Sequence, residues 1–302
     1  MPHLVRRLSV ATSITAFVGI VGCSKYEILD AIVPRGGERT LNVAYGDQPR
    51  QRLDVYRSRP TTRRAPVVVF FYGGDWRSGS KAGYRFVAQA LTSHGYLAII
   101  PDYRLYPDVT FPGFVEDGAL AVRWARDHAQ QFGGDPDKLF LMGHSAGAHI
   151  AAMLTLDRHY LDDAGVTREA ILGTVGLSGP YNFVLRDQDA PVFRLASATK
   201  PAPQMQPITF TDGTAPPMLL IHGAKDTIVD PKNTPKLAAA IRAQGGHVQT
   251  ISYSKRGHPD IALSLAWGFR WLAPTLDDTL TFFRGVLATD GARICTDDEE
   301  KR

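Results

Sequence analysis

Five short, uninterrupted apolar runs, each separated from the next by turn or helical sequence, confine this chain to a parallel-sheet architecture. They are Pro66–Tyr72, Tyr96–Pro101, Leu139–Met142, Leu172–Leu177 and Met218–Ile221. A strand buried on both faces carries no polar alternation, and such strands are typical of sheets covered by helices on both sides. Val248–Tyr253 alternates instead, as an outer strand does. Helical segments are predicted at Lys81–Ser93, Pro112–Phe132, Ala146–Leu156, Pro231–Gln244 and Asp277–Leu287. Leu41–Tyr45 and Arg52–Tyr56 read as a hairpin around Gly46-Asp-Gln-Pro49. The expected fold class is therefore α/β, with a mostly parallel central sheet flanked by helices on both faces.

One stretch breaks the rhythm. Val184–Pro217 is rich in proline, carries Asp187, Asp189 and Asp212, and is too long for an ordinary connection. It is an insertion before the strand Met218–Ile221, and we expect it to cover the site.

The chemistry is concentrated at Gly143-His-Ser145-Ala-Gly147, a G-x-S-x-G sequence that closes one buried strand and opens a helix. A tight strand-to-helix turn lifts the serine hydroxyl above the sheet, and the helix N-terminus beneath favours developing negative charge. A serine at its own pKa is a weak nucleophile and needs a base. Of nine histidines, His258 follows the outer strand in Gly257-His258-Pro and is the preferred base; His222, at the end of Met218–Ile221, is the alternative. His144 and His149 flank the elbow and are expected to pack. The third member must hold the imidazole in the right tautomer. Asp226, in the loop after Met218–Ile221, is preferred, with Asp230 as the alternative. Backbone donors for an oxyanion are expected from Ala146 and from Gly74 and Asp75 in Tyr72-Gly-Gly-Asp-Trp76.

Other chemistries lack support. Gly74-Asp-Trp-Arg-Ser-Gly79-Ser80-Lys81 misses a phosphate-binding loop because Ser80 separates the glycine from the lysine. There is no H-E-x-x-H or C-x-x-C, so no metal is expected, and acyl transfer needs no cofactor. A net charge of +4 with no run of five like charges argues against a nucleic-acid partner. At 44% apolar residues the chain is not disordered.

These motifs together resemble the α/β-hydrolase-fold serine esterases: carboxylesterases, arylformamidases, prenylcysteine methylesterases and feruloyl/acetyl-xylan esterase-like proteins. The matching stretches also include Arg52-Leu-Asp-Val-Tyr56, Pro101-Asp-Tyr-Arg-Leu105, Phe111-Pro112, Gly133-Gly-Asp-Pro136 and His222-Gly-Ala-Lys-Asp226. The resemblance implies Ser145 as nucleophile, His258 as base, Asp226 as its acid partner, and Gly74, Asp75 and Ala146 as oxyanion donors. It implies hydrolysis of a small-molecule ester through an acyl-enzyme. Amide hydrolysis of the arylformamidase type is the alternative, and a non-catalytic binding or structural envelope protein on the same fold is a third reading. One departure matters: Tyr72 stands where that family usually has a histidine bracing the oxyanion loop.

The first residues read as an export signal, with Arg6 and Arg7 before an apolar stretch from Leu8 to Ile20. Ile20-Val21-Gly22-Cys23 resembles the lipobox of bacterial lipoproteins, in which the cysteine is lipidated and becomes the first mature residue. The implied organisation is a signal at 1–22, a linker at 23–40, the hydrolase domain at 41–290 and a polar tail at 291–302. The expected location is the cell envelope, tethered to a membrane through Cys23, and facing the periplasm from the outer membrane if the cell has two membranes; plain secretion or a free periplasmic location is the alternative. Cys295 then has no partner, and no disulfide is expected.

Overall fold

The computed structural model describes residues 37–58, 63–184, 187–194 and 202–299, the last ten of these by backbone alone. The signal sequence, Cys23 and most of the linker lie outside the described residues, as do the side chain of Cys295 and the disulfide expectation with it. One eight-stranded sheet runs in the order β1-β2-β4-β3-β5-β6-β7-β8. Its strands are β1 (Glu38–Ala44), β2 (Arg52–Arg57), β3 (Ala65–Phe71), β4 (Leu97–Asp102), β5 (Gly134–His144), β6 (Ile171–Leu177), β7 (Met218–Gly223) and β8 (Val248–Tyr253). The first two strands pair antiparallel, β2 pairs antiparallel with β4, and every later pairing is parallel. The expected α/β architecture is thus the observed one.

Seven α-helices accompany the sheet among the described residues: α1 (Arg85–Thr92), α2 (Gly113–His128), α3 (Ala146–Leu156), α4 (His159–Asp163), α5 (Asn233–Ala243), α6 (His258–Leu263) and α7 (Thr275–Glu299). Strand alternation decides which face each covers. Val68 and Phe70 of β3 are in register with Phe140 and Met142 of β5. On this face Phe140 meets Phe283 of α7 at 4.4 Å between ring centroids, and Phe70 meets Tyr84, just before α1, at 5.5 Å. Phe71 points the other way, towards Gly118 of α2 and its neighbour Ile150 of α3. Every residue of α3 is buried, as a helix between a sheet and other elements must be.

One boundary differs from expectation. The last helix does not stop at Leu287: its backbone stays helical to Glu299, through most of the stretch expected as a tail. His258 is the first residue of a short helix, with Gly257 at the N-cap and Asp260 accepting the Gly257 N–H at 2.8 Å. The Val184–Pro217 insertion is not featureless either. Its described parts form short 3-10 turns at Asp187–Phe193, Pro203–Met205 and Pro207–Phe210.

Candidate active site

The carboxyl ends of β5, β6, β7 and β8 are level, since His144 pairs with Leu177, Leu177 with Ile221, and Ile221 with Ile251. Ser145 leaves β5 directly, Asp226 follows β7, and His258 follows β8. At about 4.8 Å per strand, three strand spacings separate the β5 and β8 exits. The chain after β8 therefore has to turn back over the sheet. It does so by the Lys225 N–H donating to Arg256 O at 2.9 Å and by His144 Nε2 lying 3.2 Å from His258 O.

Ser145 occupies the strand-to-helix turn with φ 56° and ψ −122°, a conformation that an L-residue adopts only under constraint. The constraint is steric closeness on both sides. A Cβ on Gly143 would lie 2.2 Å from Gly147 O, and a Cβ on Gly147 would lie 2.1 Å from Phe71 O. Only glycines let the turn close on itself and let α3 start against β3. The Ser145 N–H donates to Leu177 O at 2.9 Å, which fixes the turn to β6.

His258 Nδ1 lies 2.7 Å from Asp226 Oδ2, and both side chains are buried. The other carboxylate oxygen accepts the backbone N–H groups of Ile228 and Val229, each at 2.9 Å. Burial alone pushes the Asp226 carboxyl up. Hydrogen bonds from His222 and His258, the His258 charge and the Val229 N–H outweigh it and hold the group well below the usual carboxylate range. Asp226 therefore stays ionised and fixes the tautomer with Nδ1 protonated, leaving Nε2 as the free basic nitrogen. Among the described residues no hydrogen bond joins the Ser145 hydroxyl to His258; hydrogen bonds of this kind are commonly open before substrate arrives.

The alternatives considered from sequence sit elsewhere. His222 lies behind the carboxylate, with Nε2 3.0 Å from Asp226 Oδ2 and Nδ1 3.0 Å from Thr234 Oγ1. Asp230 is an exposed turn residue whose carboxylate accepts the Lys232 N–H at 3.0 Å. His144 and His149 are buried, and burial pushes them down to about 3 and about 4, so both are neutral. The partnership of His222 with Asp226 escaped the sequence reading; the four-residue spacing between the end of β7 and the loop that follows it was the available signal.

The segment 72–79 passes directly over Ser145, because a Cβ on Gly73 would lie 2.9 Å from Ser145 Cβ. Gly74, Asp75 and Trp76 all have positive φ, at 140°, 52° and 57°. Among the described residues neither the Gly74 N–H nor the Ala146 N–H donates to an acceptor. Ala146 opens α3, whose dipole adds to its amide. The insertion and the residue just before it reach the same place. Phe183 stacks on Trp76 at 6.0 Å, Phe193 meets it edge-on at 4.9 Å, and Arg77 donates to Gln188 O. Among the described residues no group of three or more His, Cys, Asp or Glu is arranged to hold a metal ion.

Residues 53–241 match the sequence profile of the BD-FAE family. Isoprenylcysteine alpha-carbonyl methylesterase ICME of Arabidopsis thaliana is 32% identical over 245 residues, 74% of this chain and 57% of that protein. Esterase LipC of Mycobacterium tuberculosis is 32% identical over 241 residues, 68% of this chain and 57% of that protein. The chain spans about half the length of the curated relatives it matches. Among solved structures, phosphonate-inhibited esterase B from Lactobacillus rhamnosis superposes with a TM-score of 0.76 at 22% identity, covering 89% of this chain and 93% of that one. At that identity the likeness shows the shared α/β-hydrolase fold.

Proposed function

The chain belongs to the BD-FAE family, and from that premise we propose that it is a serine hydrolase acting on small carboxylic esters. The observation that carries the reading is the 2.7 Å contact of His258 with a buried, ionised Asp226, beside an elbow that presents Ser145. In the proposed reaction His258 Nε2 takes the Ser145 proton as Oγ attacks the ester carbonyl. The oxyanion develops towards the Gly74 and Ala146 N–H groups, with Asp75 supplying a further amide. His258 then protonates the departing alcohol, leaving an acyl group on Ser145. Water, deprotonated by the same nitrogen, attacks that acyl group, and His258 returns the proton to Ser145 Oγ as the acid leaves. The imidazolium formed in each half is held by Asp226.

The test is labelling by a fluorophosphonate probe, followed by turnover of p-nitrophenyl esters of increasing acyl length. Labelling and turnover in the wild type, both lost in Ser145→Ala, are the expected result. Absence of both in the folded wild type overturns the reading. Formanilide in the same panel distinguishes ester from amide preference.

The same proposal includes a place in the cell envelope, tethered through lipidated Cys23, on the strength of the Ile20–Cys23 sequence. Mass spectrometry of the mature N-terminus checks it. A diacylglyceryl-cysteine peptide beginning at residue 23 is expected, and an unmodified peptide beginning elsewhere ends the tether.

A further inference from the structure

The loop over Ser145 holds an unfavourable shape. Two consecutive non-glycine residues, Asp75 and Trp76, sit at φ 52° and 57°. Such a conformation is unfavourable for a residue with a Cβ and persists only where its surroundings over-determine it. What over-determines this loop is visible at its two ends. Arg50, in the turn between β1 and β2, donates from Nη2 to the Tyr72 hydroxyl at 3.0 Å and to Gly79 O at 2.6 Å. Its Nε donates to Tyr103 O at 2.8 Å. One guanidinium nitrogen thus joins the residue that enters the loop to the residue that leaves it.

The surrounding contacts make this a rigid frame. Tyr72 is fully buried and stacks on Tyr103 with ring centroids 4.6 Å apart. The Tyr103 hydroxyl donates to Tyr72 O at 2.7 Å, so hydroxyl and carbonyl of Tyr72 are both engaged. Gly79 lies flat on the Tyr72 ring, since a Cβ there would come within 2.9 Å of it and 2.7 Å of Gly73 O. Two residues on, the Lys81 N–H donates to Asp102 Oδ1 at 2.7 Å, and that oxygen is 3.9 Å from Arg50 Nη2. Lys81 Nζ continues the frame to Asp54 Oδ1 at 3.1 Å and Asn42 Oδ1 at 2.7 Å. Among the described residues neither Arg50 nor Tyr72 forms a hydrogen bond or ion pair with Ser145 or His258.

We infer that Arg50 is a positioning residue for the reaction. Through Tyr72 and Gly79 it clamps the 72–79 loop in the conformation that aims the Gly74 and Asp75 amides at the oxyanion. The inference rests on the esterase reading of the same site. Oxyanion donors act mainly in the transition state, so their misplacement lowers kcat more than it changes KM. A lysine cannot replace the clamp, because a single ammonium lacks the planar fork that reaches two acceptors while a third donor holds Tyr103 O.

The experiment compares Arg50→Gln, Arg50→Lys, Tyr72→Phe and the double variant Arg50→Gln/Tyr72→Phe in the full chain. Arg123→Ala, an exposed site on α2, is the control. Fluorophosphonate labelling run to completion counts competent sites, so kcat for p-nitrophenyl acetate is expressed per labelled site and a loss of folded protein does not mimic the effect. Expected are a per-site kcat lowered ~10–100-fold in Arg50→Gln, KM within roughly threefold of wild type and an unmoved kcat–pH inflection, because the His258–Asp226 pair is untouched. Tyr72→Phe, which keeps the ring stack and loses only the hydroxyl, should lower per-site kcat less, and the double variant should fall little below Arg50→Gln. Arg50→Lys should not restore activity.

A per-site kcat within twofold of wild type in both Arg50→Gln and Tyr72→Phe overturns the clamp and leaves the esterase reading intact. So does a change confined to KM, or a shifted pH inflection. A folded wild type that neither labels nor turns over esters removes the esterase reading, and the clamp with it. If Arg50→Gln fails to fold, Tyr72→Phe decides alone.

Discussion

His222 Nε2 lies 3.0 Å from Asp226 Oδ2, the carboxylate oxygen that His258 Nδ1 reaches at 2.7 Å. One oxygen therefore faces two imidazoles, one on the side of Ser145 and one on the side of Thr234, while the other oxygen is saturated by backbone amides. The two histidines have different expected weights. His222→Phe removes one charge-assisted hydrogen bond to the carboxylate and should lower kcat ~10-fold. His258→Ala should lower it by several powers of ten. Steady-state kinetics on the two variants checks this, and equal losses would make His222 part of the proton path.

Asp226→Asn keeps the shape of the acid but removes its charge and its hold on the tautomer. By analogy with a serine protease triad, kcat should drop ~10⁴-fold with little change in fold. Stopped-flow acylation with a chromogenic ester measures it. A loss below tenfold would mean that the carboxylate is structural.

Much of this arrangement was legible in the chain. The apolar runs announce their strands because a doubly covered sheet demands them, and G-x-S-x-G announces a turn because no other residues let β5 and α3 approach so closely. Asp226 and His258 could be singled out because each follows a strand end. The turn containing Arg50 gave no such signal. Its meaning depends on β2 pairing with β4, which brings residue 50 beside residues 72, 79 and 103, and sequence spacing does not encode that meeting. The packing of Phe193 on Trp76 was hidden for the same reason: a proline-rich stretch has no period from which to read a fold.

Acid should unsettle the protein from pH about 6.5 downwards. Burial pushes His149 down to about 4, whereas an unfolded histidine titrates near ~6.5. Between those values the unfolded chain holds the additional proton. The stability tied to a neutral His149 is thus complete above ~6.5 and lost as pH falls towards its folded value. Asp226, held below the usual range, contributes fully above ~4 and loses its contribution only at lower pH. Tm recorded from pH 7 to pH 4 should therefore fall less steeply in His149→Gln, which can still donate to Met205 O. Parallel curves would remove His149 from the account.

Gly147→Ala places a methyl group 2.1 Å from Phe71 O, a backbone atom that cannot step aside. Overpacking of this kind costs about 1–3 kcal/mol or more. The urea midpoint should drop accordingly, with activity lost even where the chain folds. An unchanged midpoint would contradict the close approach of α3 to β3.

The strand that precedes His258 is β8, at the edge of the sheet and half-exposed along its length. The proposed nucleophile, Ser145, directly follows β5, in the middle. The catalytic apparatus is therefore divided between the region of the molecule that should open last and a region that should open early, since peripheral strands come apart in partial openings well short of global unfolding. Such an opening takes away His258, the proposed base, while leaving Ser145 and most of the sheet in place. Heating or mild denaturant should thus silence the enzyme reversibly, below the transition seen by circular dichroism.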